Sequence, residues 1–366
     1  MECLLGADDT FGPAVNGCRD NFDFTLLFEQ SFFQIAPCAL LLLLVPVRAS
    51  YLRKQNVKTL RTSMASIKQA AIAVLACTQL ALLIVWSLTP MYRTRASIPA
   101  ATLSFVASLA LLFLSSMEHS RSVRPSAIIN TYMLFSLLFD IPQARTLWLR
   151  PGPKSLPGVF TAGLAAKTIS LLLEARSKRR SLFPAYRVYA PETLVSLYDR
   201  TVLWWLNPLF KRGFSGLISF ESLYPIDGAL ASEKVDHEFE GIWAKYKGKS
   251  KHSLLWALIS HCKVSMVSFM VPRLVLSAFK LSQPLLINRV TGLMAERISG
   301  TSTNAGRGLI GAAALIYCGL AIANVLYKRQ LQRFLTRVRG TLVTSLYAKI
   351  LVTPYDKLSD SAAITL

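Results

Sequence analysis

Apolar residues in this chain fall into long uninterrupted blocks, not into the alternating patterns of soluble helices and strands. Blocks near the roughly 17 to 25 residues that cross a bilayer lie at about 31–47, 70–88, 98–117, 127–147, 157–173, 264–287 and 309–327. The pattern predicts seven membrane-spanning helices: five separated by short polar connections, then about ninety residues without a span, then two more. The first block, "SFFQIAPCALLLLLVPV", follows an acidic segment and lacks a small-residue cleavage site, so it reads as a first span and not as a secretory signal.

Beyond the seventh block the pattern changes period. "KRQLQRFLTRVRGTLVTSLYAKILV" places Leu331, Leu335, Val338, Leu342, Leu346 and Ile350 three or four residues apart. That spacing predicts an amphipathic helix continuing the last span well past the membrane. Between the two groups of spans, "PETLVSLYDRTVLWWLNPLF" sets Leu194, Leu197, Val202, Trp205 and Leu209 on a rough stripe, with Trp204 and Trp205 suited to the headgroup level. An interfacial helix is expected there, bent or ended at Asn207-Pro208 because a residue before proline is pushed away from helical torsions.

Charge then sets the orientation. The connection after the first span carries Arg48, Arg53, Lys54, Lys58, Arg61 and Lys68 and no acid, whereas Asp8, Asp9, Asp20, Asp23 and Glu29 precede that span. The excess of Lys and Arg on cytoplasmic loops places the N-terminus outside or in a lumen. "EARSKRRSLFPAYR" after the fifth span and Lys328, Arg329, Arg333, Arg337 and Arg339 after the seventh then also fall inside. The net charge of +21, in a chain that is 52% hydrophobic, is therefore explained by loops beside an anionic leaflet. Nucleic-acid binding would need those charges on one soluble face.

The six cysteines and four histidines stand at no close ligand spacing, so no metal site is expected. Cys38, Cys77 and Cys318 lie in spans and read as buried small apolar residues. Cys3 and Cys18 share the outside segment, where a disulfide between them and two free thiols are both open.

The connector carries a resemblance. "PETLVSLYDRTVLWWLNPLFKRGF" followed by "LISFESLYPID" resembles the approach to the first transmembrane domain of C-subfamily ABC transporters, the multidrug-resistance-associated type, above all their filamentous-fungal branch. The likeness runs on through "PRLVLSAFKLSQPLLINRV" and "YKRQLQRFLTRVRGTLVTSLYAKIL", and the first five spans, with "LEARSKRRSL" at their exit, are similar to that subfamily's extra N-terminal membrane domain. The resemblance implies an all-α polytopic membrane protein in three parts: a five-span domain at 1–174, a cytoplasmic connector with an interfacial elbow helix at 175–255, and the first part of an exporter transmembrane domain at 256–366. In that family Leu366 falls where no domain ends, so the resemblance implies a truncated transport domain.

Charges inside spans are costly and are functional candidates by default. Arg273 and Lys280 sit seven residues apart on one face of the sixth span, with Gln283-Pro284 one turn on. The resemblance implies a basic residue at Arg273 that meets anionic parts of a substrate, with Lys280 and Gln283 beside it. The alternative is that Arg273 snorkels or pairs with a carboxylate elsewhere. Asp140 in the fourth span and Lys167 in the fifth lie at similar distances from the turn near Gly152, so a structural ion pair is expected, with a proton relay as the alternative.

No catalytic residue is identified. A phosphate-cradling loop G-x-x-x-x-G-K-S would need glycine where "GIWAKYKGKS" has Trp243, and no apolar strand precedes that string. ATP and magnesium, which the family uses, therefore have no site in these residues. The expected function is export of amphipathic or anionic small molecules in company with nucleotide-binding domains outside this chain. A non-catalytic module that binds a partner transporter, or an inactive fragment, is the alternative. The lipid bilayer, a small-molecule substrate and such a partner are the expected contacts, in the plasma membrane rather than the vacuolar membrane.

Overall fold

The computed structural model describes residues 5–12, 14–15, 23–60, 62–187, 189–225, 227–228, 230–246, 252–297 and 303–352. Cys3 and Cys18 lie outside them. The chain is an all-α polytopic membrane protein, and among the described residues the β-structure is an isolated bridge between Thr59 and Leu182. It divides into two compact units, Met1–Arg200 and Thr201–Leu366.

The first unit is a bundle of α1 (Leu26–Arg53), α2 (Ser63–Leu88), α3 (Ser97–Arg121), α4 (Ala127–Leu149) and α5 (Ser155–Ala175). Thr25 opens α1 by accepting from the Phe28 amide at 3.3 Å, and Ser126 opens α4 by accepting from Ile129 at 3.4 Å. These caps satisfy donors that a helix start leaves orphaned. Glu29–Ile35 within α1 winds as a π-helix. Pro142 removes a donor inside α4, which frees the carbonyl of Leu138 four residues earlier, a loss that membrane helices tolerate where neighbours cover the backbone.

Among the described residues, six helices are long and apolar enough to cross a membrane, and α4 is not among them. Its apolar run is diluted by Asn130, Asp140 and Gln143, all of which it buries against its neighbours. At 23 residues it still measures about 35 Å, enough for the roughly 30 Å hydrocarbon core. Apolar side chains meanwhile face outward, Leu43 at 71% and Leu172 at 63% exposure. Lipid tails tolerate such a surface, and polar groups go to the middle instead. Cys38 is buried as expected, but Cys77 and Cys318 sit on outward faces, where a thiol meets lipid without cost.

The second unit contains α6 (Asn207–Ser215), α7 (Ser232–Tyr246), α8 (Ser253–Arg297) and α9 (Thr303–Val352). Ser265 meets Arg337, Phe269 packs on Phe334, Arg273 on Tyr327 and Phe279 beside Gly319, so α8 and α9 run antiparallel. At 45 and 50 residues they extend about 68 and 75 Å, far beyond the hydrocarbon core.

The single interfacial helix expected after Pro191 is instead several short pieces: Pro191–Leu194, Leu197–Thr201, a 3-10 turn at Trp204–Leu206, then α6. Val195 is extended, Ser196 restarts the helix by accepting from the Asp199 amide at 3.2 Å, and Leu203 takes left-handed torsions at φ 59°. Asn207-Pro208 begins α6 rather than ending a helix, because proline's missing donor is harmless in a first turn.

Candidate functional site

Polar chemistry in the first unit is arranged at three depths. At the end carrying the N-terminal segment, Arg150 pairs with Asp8 at 3.3 Å, Arg95 with Asp9 at 3.4 Å, and Arg145 with Asp23. Thr146 donates to Glu29 there at 2.8 Å, and Gln30 accepts from Ser97 at 3.1 Å. At mid-depth the Lys167 ammonium of α5 donates to Asp140 Oδ2 of α4, with both side chains about nine-tenths buried. Phe33, Gln34, Cys38, Gln79, Ser136 and Tyr132 are among their neighbours around a cavity of about 20 Å³, room for about one water. The Asp140–Lys167 contact thus joins α4 to α5 inside the bundle.

At the opposite end Lys68 lies 3.3 Å from Glu174, which also accepts from Ser115. Glu118 accepts from Arg48 at 2.7 Å and from Ser126 at 3.3 Å, and its carbonyl accepts from Lys178 at 2.7 Å. Burial, aided by the nearby Lys68, outweighs Glu174 and Glu118 and lowers Lys178 to about 8. The chain after α5 is tied down here too: Arg124 donates to the Thr193 carbonyl at 3.1 Å, Ser177 to that of Leu194 at 3.3 Å, and the Tyr198 hydroxyl to that of Asn130 at 2.7 Å. The front of the expected connector thus folds as part of the first unit.

In the second unit, Arg273 sits 5.0 Å over the Tyr327 ring, a cation–π contact that lessens the cost of a charge at this position. Arg273 and Lys280 are exposed and Gln283 is half-buried, so α8 and α9 present them on an open face and do not close a pocket around them. Trp205 lies 6.0 Å from the Tyr224 ring, while Trp204, Asn207 and Pro208 are exposed. Phe214 and Phe220 are 96% and 90% exposed beside Lys211 and Arg212, a surface that suits the bilayer interface.

Two contacts were not foreseen. Arg333 Nη2 donates to Asp227 Oδ2 at 2.7 Å and Arg337 Nη2 to Glu238 Oε2 at 2.6 Å, fastening the end of the "LYPID" motif and α7 to the far portion of α9. Phe239 of α7 stacks on Trp243 and meets His261 of α8 edge-on. The sequence carries no local signal for these pairs, since 106 residues separate Asp227 from Arg333 and 99 separate Glu238 from Arg337. Gly241 to Tyr246 of the string closest to a phosphate loop are helical in α7, and residues 247–250 of that string lie outside the described residues. Among the described residues no cluster of metal-ligating side chains forms.

Residues 6–161 match the model of the ABC transporter TMD0 domain. Over that stretch the chain is similar to an ABC transporter TMD0 domain. An ABC-type transporter of Gibberella zeae is 37% identical over 98% of the chain and 24% of its own length. ABC multidrug transporter B of Aspergillus fumigatus is 33% identical over 98% of the chain and 25% of its own length, and ABC transporter atnG of Emericella nidulans 34% over 100% and 24%. The chain thus spans about a quarter of the length of the curated relatives it matches. The TMD0 match ends within α5, while the relatives' similarity continues through the whole second unit.

Proposed function

We propose that these residues form the N-terminal membrane portion of a C-subfamily exporter of amphipathic or anionic small molecules, with ATP hydrolysis supplied by domains outside them. The observation that carries this reading is the α8–α9 hairpin, which holds Arg273 and Lys280 within its apolar lengths and overshoots the bilayer at the end clamped by Asp227 and Glu238. The multidrug transporter name of the Aspergillus relative supports the substrate class.

In this reading Arg273, Lys280 and Gln283 attract the anionic part of a substrate once further helices enclose their face. The overshooting part of α9 passes nucleotide-driven movement to α8 through a rigid helix. Asp140–Lys167 is structural, and Trp204, Trp205, Asn207 and Pro208 hold the elbow at the interface. The N-terminus faces the exterior or a lumen, in the plasma membrane.

Proteoliposomes containing this chain provide the test. Expected are no ATP hydrolysis and no organic-anion uptake by the chain alone, with weak fluorescent-anion binding that Arg273→Gln reduces. Unaided ATP hydrolysis, or anion binding unchanged in both Arg273→Gln and Lys280→Gln, overturns the reading.

A further inference from the structure

We propose that the cleft between α1 and α4 is a binding site for one anionic phospholipid, an acyl chain in the cleft and the phosphate at Arg48 and Arg124. This rests on the membrane placement of the first unit and on nothing assumed about transport.

The cleft has a volume of about 510 Å³ and is lined by Phe32, Leu40, Leu44, Ile128, Phe135 and Phe139, among others. That lies within the roughly 300–1,000 Å³ of small-molecule sites. It exists because Ala36 and Ala127 leave space where larger side chains would close the gap, and because Pro37 stands beside the π-helical turn Glu29–Ile35. From Phe32 to Leu44 it follows the helix for about 18 Å, comparable with one leaflet of the roughly 30 Å hydrocarbon core. Its lining is almost wholly carbon. The Tyr132 hydroxyl at its back is already engaged with Cys38 Sγ at 3.3 Å. Nothing polar can occupy such a slot from within the bilayer, and a hydrocarbon chain can.

Charge decides which lipid. The end of the cleft at Leu44, Ala127 and Ile128 opens beside cations. Arg48 stands one turn beyond Leu44, and its Nε and the Ser126 hydroxyl both donate to Glu118 Oε1, so α1 and the start of α4 meet at one carboxylate oxygen. Arg124 lies two residues before Ser126. Its Nε goes to the Thr193 carbonyl, its side chain is exposed, and among the described residues no carboxylate pairs with it. Arg53 and Lys54 at the end of α1 are exposed as well. Glu118 is buried, so the mouth presents cations to solvent with no exposed acid between them. The amide-rich start of α4 faces the same mouth and adds to its attraction for an anion. A zwitterionic lipid would bring no net charge into this field, whereas phosphatidylserine or phosphatidylinositol would bring a net negative one.

The full chain, purified in a neutral maltoside detergent and titrated with equimolar dioleoylphosphatidylserine and dioleoylphosphatidylcholine, would be read by native mass spectrometry. The expected result is one retained phosphatidylserine in clear preference to phosphatidylcholine. Arg124→Gln should reduce that preference roughly fivefold, the worth of one basic residue beside an anionic surface, and Arg124→Lys should restore it. Ala127→Phe, which fills the cleft, should lower retention of both lipids. Equal retention of the two lipids by the unaltered chain, or a preference unmoved by Arg124→Gln, overturns the proposal. The Gln and Lys variants decide it even if Ala127→Phe fails to fold.

Discussion

Arg333 of α9 and Asp227, the last residue of "LYPID", meet at 2.7 Å with only 24% and 10% of their side chains exposed. A turn that looks like a loop end in the sequence is therefore an anchor point for a helix of 50 residues. Asp227→Asn should weaken the anchor by about 1 kcal/mol, the scale of a partly exposed ion pair. The check is protease cleavage between Gly216 and Ala231, which should quicken in Asp227→Asn and in Arg333→Gln. The double variant should be no worse than either single one, because the pair is already lost in each.

At the centre of the first unit, Lys167 and Asp140 are each buried with the other as ionic partner. Removing one charge strands the other, so Asp140→Asn or Lys167→Met should destabilise by about 3–5 kcal/mol. Asp140→Leu with Lys167→Met together should recover most of that loss. Thermal unfolding in detergent would read it. A proton relay predicts the opposite pattern, with folding intact in the single variants and only a proton-linked activity lost.

Lys178 gives a pH signature. Burial lowers its folded pKa to about 8 from the ordinary 10.5, so between those values the unfolded chain binds more protons than the folded one. Stability contributed through this group must then rise with pH across that window, and the penalty for its charge is fully present below pH 8. The melting temperature of the unaltered chain should therefore climb more between pH 8 and 10 than that of Lys178→Met. Parallel curves would show that Lys178 is solvated in the folded protein.

Gly319 permits the close approach of α9 to α8. A Cβ there would meet the Phe279 ring, with Cε1 at 2.7 Å. Gly319→Leu should force the helices apart and destabilise by about 1–3 kcal/mol. Gly319→Ala should be close to neutral, since the ring can shift and alanine gains up to about 1 kcal/mol of helix propensity. Disulfide trapping between cysteines placed at Phe269 and Phe334, whose rings are 5.0 Å apart, would report the spacing.

The spans were legible because a bilayer imposes length on apolar runs, and α1 to α5, α8 and α9 appear where the blocks stand. The overshoot of α9 was legible from the three-and-four spacing after Tyr327. What did not show was the breaking of the stretch after Pro191, since the apolar stripe from Leu194 to Leu209 is continuous to the eye. The local signals were there: Ser196 followed by Asp199 is a helix restart, and Pro208 suits a first turn. Leu203 in left-handed torsions has no such signal, because nothing in leucine favours that region. The pairing of Asp140 with Lys167 could be reasoned from depth alone. Arg333 with Asp227 could not, as their 106-residue separation hides the partner.

The carboxylates of the first unit have one more consequence. Asp8, Asp23, Glu29, Glu118, Asp140 and Glu174 are all buried, and the other described acids there are half-buried, whereas Arg53, Lys54, Arg93, Arg124, Lys154, Arg176, Arg179 and Arg180 are exposed. The field felt by anything outside this unit is thus more cationic than a count of its residues suggests. Added salt should act on what the unit attracts while leaving its internal pairs nearly untouched, so ionic strength becomes a means of separating its associations from its fold.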